Sequence, residues 1–133
     1  MLQSIRRYVE NGGKLLAECG GMMYLCDEIR DKNGDVYPMA GVLHQSATME
    51  NMKLRLGYRT LLYNDARLKG HEFHYSRLVE QQDPLPSCAV AYTAKGVETD
   101  TPLYHYKNVW AGYTHLYWAD PAGNDWFTKF IIK

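Results

Sequence analysis

The chain has 133 residues, 46% of them apolar, which allows one ordinary buried core and points to a single domain. Fifteen basic residues balance fifteen acidic ones with no long run of either sign, which argues against an electrostatic nucleic-acid footprint. No window has the length of a membrane span, and the apolar stretch after Arg6-Arg7 is too short for a signal peptide and is broken by Glu10.

Leu2, Ile5 and Val9, with Tyr8 beside them, recur at helical spacing and predict a helix over residues 2–10. Asn11-Gly12-Gly13 stops it. Lys14 to Glu18 reads as a short buried strand. Beyond the glycines, Met22, Leu25, Cys26 and Ile29 predict a second amphipathic helix over 21–29, closed by the turn Asp31-Lys32-Asn33-Gly34-Asp35. In KLRLGYRTLLY, Leu54, Leu56 and Tyr58 alternate with charged or small residues, as in a strand. Gly57 marks a bend or bulge there, with Arg55 and Arg59 on the solvent side. Phe73 and Tyr75 alternate in HEFHYS, and Cys88 to Ala94 is a further strand, set off by Pro84 and Pro86. A strand from Asn108 to about Tyr113 leads into His115, and Asn124 is placed to cap a last helix bearing Trp126, Phe127, Phe130 and Ile131. This is the grammar of an α/β sheet, with its site at the carboxyl ends of the strands. The chain opens on a helix, so part of the sheet is expected upstream of Met1.

The stretch KLLAECGGMMYLC places Cys19 where a strand turns into a helix. Gly20 and Gly21 are expected to allow the tight backbone and close packing of such a turn. A thiol there faces a helix N-terminus, which favours the thiolate, and the Gly20 N–H can face the oxygen of a tetrahedral intermediate. Glu18 interrupts an apolar run and is read as a salt-bridge or anchor for the turn. A structural cysteine followed by a plain Gly-Gly turn is the competing reading. Cys26 and Cys88 read as packing residues. An odd number of cysteines without a secretion signal fits reduced thiols and a cytoplasmic location.

A cysteine nucleophile needs a base, and His115 is the best placed of five histidines, although a satisfied core histidine has the same signature. In HEFH, strand alternation puts His71 and Phe73 on one face and Glu72 and His74 on the other. A metal centre therefore lacks ligands, and none is expected. His44 and His105 carry no clear signal. The eleven tyrosines and three tryptophans fit core and rim positions, and several are available to line a cleft.

Taken together, AECGGMMYL, DKNGDVYPMAGVL, RLGYR, GHEFHYSR and AGYTHLYW resemble, in this order, the glutamine amidotransferase domain of cobyrinic acid a,c-diamide synthases, over nearly the whole chain. The family includes hydrogenobyrinate and nickel-sirohydrochlorin a,c-diamide synthases, either of which remains an alternative. The resemblance implies a class I glutamine amidotransferase-like, flavodoxin-like three-layer sandwich, with residues 1–133 forming part of that domain. It implies Cys19 as nucleophile, His115 as its base and glutamine as substrate. The acid usually found two places after the histidine is replaced by Tyr117, so a Cys–His dyad is implied, with Glu72 or a backbone carbonyl to orient His115. Arg77 or His74 is expected to bind substrate or couple domains, or else to belong to a polar network that fixes the loop. The family also implies an amino-terminal synthetase domain holding ATP, magnesium and the corrinoid cobyrinate, but no GxxxxGK[ST] motif occurs here. The chain is therefore expected to be a carboxy-terminal piece that needs no cofactor of its own, is inactive alone and is able to pair as a homodimer. A different Cys–His hydrolase, or a degenerate domain that only binds a partner, are the rival readings.

Overall fold

The computed structural model describes residues 1–132. It opens with α1 (Leu2–Glu10), β1 (Leu15–Glu18), α2 (Gly20–Leu25), β2 (Glu28–Arg30), β3 (Val36–Pro38) and β4 (Ser46–Thr48). A long hairpin of β5 (Arg55–Tyr63) and β6 (Ala66–His74) follows, then β7 (Arg77–Leu78), β8 (Val90–Thr93) and β9 (Glu98–Thr99). β10 (Leu103–Tyr106), β11 (Val109–Gly112), β12 (His115–Leu116) and α3 (Pro121–Ile132) complete the order. The strands form three sheets, ordered β1-β11-β10, β12-β6-β5-β8-β9 and β3-β2-β4-β7. β1 pairs with β11 and β2 with β4 in parallel, and the remaining pairs are antiparallel, so the fold is mixed α/β.

The predicted face of α1 is the one that packs: Val9 is fully buried, with Leu2 and Ile5 against the same core. Gly12, at φ 88°, ends the helix in a backbone conformation that glycine adopts without steric cost. Ala17, Met22, Leu25, Val109 and Ala111 join Val9 in one cluster, which clamps α1 and α2 onto the β1–β11 pair. Burying each side chain the size of Met22 or Leu25 stabilises the fold by about 1.5–3 kcal/mol. A second cluster of Leu61, Leu68, Ala91, Leu103 and Leu116 lies beside Trp110, Trp118 and Trp126, and so ties β12 to the hairpin and α3.

Four expectations need correction. The second helix stops at Leu25, and Ile29 lies in β2 instead. The Tyr24, Leu25 and Cys26 carbonyls are taken by N–H groups of Ala40, Gly41, Val42 and Leu43, and Cys26 turns extended (φ −66°, ψ 171°), so the helix has no ladder to continue. The last helix begins at Pro121 rather than after Asn124, whose N–H already donates to the Asp120 carbonyl. Proline suits a first helical position because it has no N–H to leave unpaired. In β5 the alternation is real but its polarity is inverted: Leu56 and Tyr58 are exposed (58% and 68%), whereas Arg59 is only 9% exposed. The ladder with β6 also runs unbroken through Gly57, paired with Glu72, so there is no bulge at that pairing. The inner face of the hairpin carries Arg55, Gly57 and Arg59 because a buried carboxylate lies beneath them.

Candidate active site

Two neighbouring parallel strand ends build the site. β1 and β11 run in register from Leu15–Val109 to Glu18–Gly112, and the next N–H, that of Cys19, donates to the Gly112 carbonyl at 2.8 Å. Cys19 is thereby pinned at the sheet edge, and the chain leaving β11 reaches His115 three residues later. The backbone of Cys19 has φ 54° and ψ −111°, a conformation that resists a side chain and is tolerated where the surroundings over-determine it. The strain assigned to the glycines therefore falls on the cysteine, since neither Gly20 nor Gly21 takes a positive φ. Gly21 packs on β1 instead, where an added Cβ would sit 3.4 Å from that of Ala17.

Cys19 is half-buried, with its thiol 4.0 Å from the Phe73 carbonyl. Burial pushes this thiol above its ordinary value; the Gly20 N–H opposes the shift, and the charges of Glu18 and Glu72 add to it. Desolvation thus outweighs the Gly20 N–H, opposite in direction to the lowering expected at a helix N-terminus. Cys26, fully buried, is pushed up to about 12 by burial and then by Asp27, and burial raises Cys88 to about 11.

β12 carries His115 and pairs with β6, setting His115 opposite His71. Gly70 permits this approach: a Cβ there would collide with the His115 carbonyl and lie 2.8 Å from Thr114 Cγ2. The two imidazoles stack with centroids 5.2 Å apart and planes 19° from parallel. The Tyr117 hydroxyl lies 3.2 Å from His71 Nδ1. From the other side, Glu18 Oε2 accepts the Leu116 N–H at 2.9 Å, so the residue before the cysteine holds the residue after the histidine. Burial raises Glu18 above the ordinary carboxylate range, against the Leu116 N–H and the influence of His115 and His71. His71 and Tyr117 line a groove of about 310 Å³ with Leu56, Gly57, Tyr58 and Phe73.

Glu72 and His74 face the opposite side of β6. Glu72 Oε1 accepts from Arg59 Nη2 at 2.9 Å and lies 3.2 Å from Arg55 Nε, while Thr101 donates to Oε2 at 2.9 Å. His74 Nε2 stands 3.7 Å from Glu72 Oε2, an ion-pair distance rather than a hydrogen bond, and has no other partner. Desolvation alone would raise Glu72; His74, Thr101 and the two guanidinium groups outweigh it and hold the carboxyl near 2. Both Glu72 oxygens are thus already engaged by side chains of its own fold. His74 also stacks on Tyr113, centroids 3.7 Å apart, and lines a cavity of about 440 Å³ with Arg77 and Arg55. Of the predicted residues, Glu18 holds Leu116 beside His115, while Cys19 touches the Phe73 carbonyl and feels the charge of Glu72, and His74 and Arg77 line the cavity beyond. Around His115, sequence reasoning left His71 and Gly70 without a site role. Alternation separated His71 from Glu72, but nothing local revealed which strand would pair with it.

A strained thiol at a strand-to-helix elbow, with an imidazole beyond the end of the adjacent parallel strand, defines an α/β fold of the class I glutamine amidotransferase type. Residues 1–123 match the CobB/CobQ-like glutamine amidotransferase domain, and the chain belongs to that family. It is 37% identical over 124 residues to the cobyrinate a,c-diamide synthase of Caldanaerobacter subterraneus subsp. tengcongensis, covering 87% of this chain and 27% of that protein. The corresponding synthase of Fusobacterium nucleatum subsp. nucleatum is 38% identical over 122 residues, 88% of this chain and 27% of the relative. The hydrogenobyrinate a,c-diamide synthase of Stutzerimonas stutzeri is 32% identical over 117 residues, 88% and 26% of the respective lengths. The chain spans about a quarter of the length of these curated relatives.

Proposed function

We propose that this chain hydrolyses glutamine and supplies ammonia to a cobyrinate-type a,c-diamide synthase, with Cys19 as nucleophile and His115 as general base and acid. The observation that supports the reading is the parallel register of β1 and β11, which ends at Glu18–Gly112, one residue before Cys19 and three before His115. His115 takes the Cys19 proton, and Sγ attacks the amide carbon of glutamine. The Gly20 N–H steadies the oxyanion. The C–N bond breaks as the His115 proton passes to the departing ammonia, leaving a thioester. Water, deprotonated by His115, then displaces Sγ, and glutamate is released. In this reading Glu18 supports the His115 strand, while Glu72, His74 and Arg77 serve the hairpin and its cavity.

The acceptor is a corrinoid whose a and c carboxylates are amidated; cobyrinate is favoured by the names of the relatives. ATP and magnesium belong to the synthetase portion of such an enzyme, in the cytoplasm, and the complete amidotransferase domain would be a flavodoxin-like three-layer sandwich. β1 is paired on one side, so its other edge suits a further strand, from that portion or from a second copy of this chain.

Covalent capture reads the Cys19 nucleophile directly, so it is the decisive test rather than turnover. Incubation with 6-diazo-5-oxo-L-norleucine is expected to modify Cys19, with protection by glutamine, and Cys19→Ala is expected to abolish the adduct seen by mass spectrometry. Modification of Cys88 instead, or no protection by glutamine, overturns the assignment.

A further inference from the structure

A Cys–His dyad without an acid leaves the imidazole free to rotate unless something else holds its plane. At the place of the usual acid stands Tyr117, whose hydroxyl is 3.2 Å from His71 Nδ1. Tyr117 is fixed by the same ladder as His115, because its N–H donates to the Lys69 carbonyl at 2.8 Å. The His71 ring lies against that of His115 at 5.2 Å and 19°. We propose that His71, held by the Tyr117 hydroxyl, is a positioning residue that fixes the plane of the His115 imidazole by stacking. This rests on the dyad reading above and deepens it.

The chemistry follows from the donor pattern. With the Tyr117 hydroxyl donating to Nδ1, the His71 ring is fixed in its plane with its proton on Nε2. That fixed ring offers His115 a flat stacking face, which holds the imidazole plane through the proton transfer. The titratable groups facing the pair are Glu18 from β1, Tyr58 from β5 and Tyr117 just after β12. Glu18 contributes negative charge and the clamp on Leu116, so stacking and charge share the role an acid would fill alone.

The test reads the pH dependence of Cys19 alkylation by iodoacetamide in the intact chain, which needs neither glutamine nor turnover. His115→Ala is the reference: it is expected to remove the imidazole-dependent rise at neutral pH. His71→Ala is expected to lower the rate at neutral pH about tenfold and to displace the profile. His71→Phe, which keeps a stacking ring, is expected to recover to within about threefold of the unsubstituted chain, and Tyr117→Phe to lose about threefold. A profile of His71→Ala that coincides with the unsubstituted chain, while that of His115→Ala differs, overturns the inference alone. His71→Phe no better than His71→Ala overturns it as well. An unchanged profile in His115→Ala overturns the dyad reading and this inference with it.

Discussion

Glu72→Gln is the substitution that most directly probes the hairpin. Glu72 is 1% exposed and receives Arg59, whose side chain is itself 8% exposed, together with Arg55 and Thr101. The amide keeps the volume and one acceptor oxygen but leaves the buried Arg59 cation facing a neutral group. Breaking a buried pair from one side costs about 3–5 kcal/mol, and the retained acceptor places the expectation near ~3 kcal/mol. The depressed carboxyl of Glu72 gives a second expectation from the same contacts. Its carboxyl falls from the ordinary 4.5 to about 2 on folding. A depressed carboxyl stabilises the fold fully above pH ~4.5, and that stability is lost as pH falls through the folded value near 2; the amount is about 3 kcal/mol. Urea denaturation of both chains at pH 7, and along a series down to pH 2.5, checks both numbers. Glu72→Gln is expected to lose about 3 kcal/mol at pH 7 and to lack the matching part of the acid decline. A variant within ~0.5 kcal/mol of the parent, or one with the same acid slope, would refute the ion-pair reasoning.

Other expectations are equally direct. Cys19→Gly should unfold at a higher temperature than Cys19→Ala, by about 1 kcal/mol in stability, because glycine relieves the φ 54° conformation; equal melting temperatures would show that the elbow stores no strain. Gly70→Ala should destabilise by about 1–3 kcal/mol and slow Cys19 alkylation at neutral pH, since the added methyl pushes β12 and His115 away from β6. Brief alkylation of the native chain, read by peptide mass spectrometry, should label Cys19 first and the fully buried Cys26 last, with Cys88 between them.

Much of this was legible in the chain because it is local. The periodicity of Leu2, Ile5 and Val9, the Gly12 stop, and the break at Cys19 between an apolar strand and a helix are each written within ten residues. The polarity of β5 was not, because a pattern of period two does not say which face meets the core. Arg59 and Glu72 compensate each other across a hairpin, and a buried ion pair looks like solvent-facing charge until the pairing is known. The same blindness hid His71. Its role depends on the pairing of β12 with β6, and β12 is only two residues long, too short to announce itself. The end of α2 likewise depends on carbonyls claimed by residues 40–43, well beyond the helix itself.

Glu18 and Leu116 meet across a separation of 98 positions, and the parallel β1–β11 ladder closes a span nearly as long. Pairings of that kind form late, because loop closure must precede any reward from contact. During translation residues 15–18 therefore emerge from the ribosome long before residues 109–112. The sheet waits for one of the final steps of folding, when the later strand threads against the earlier one.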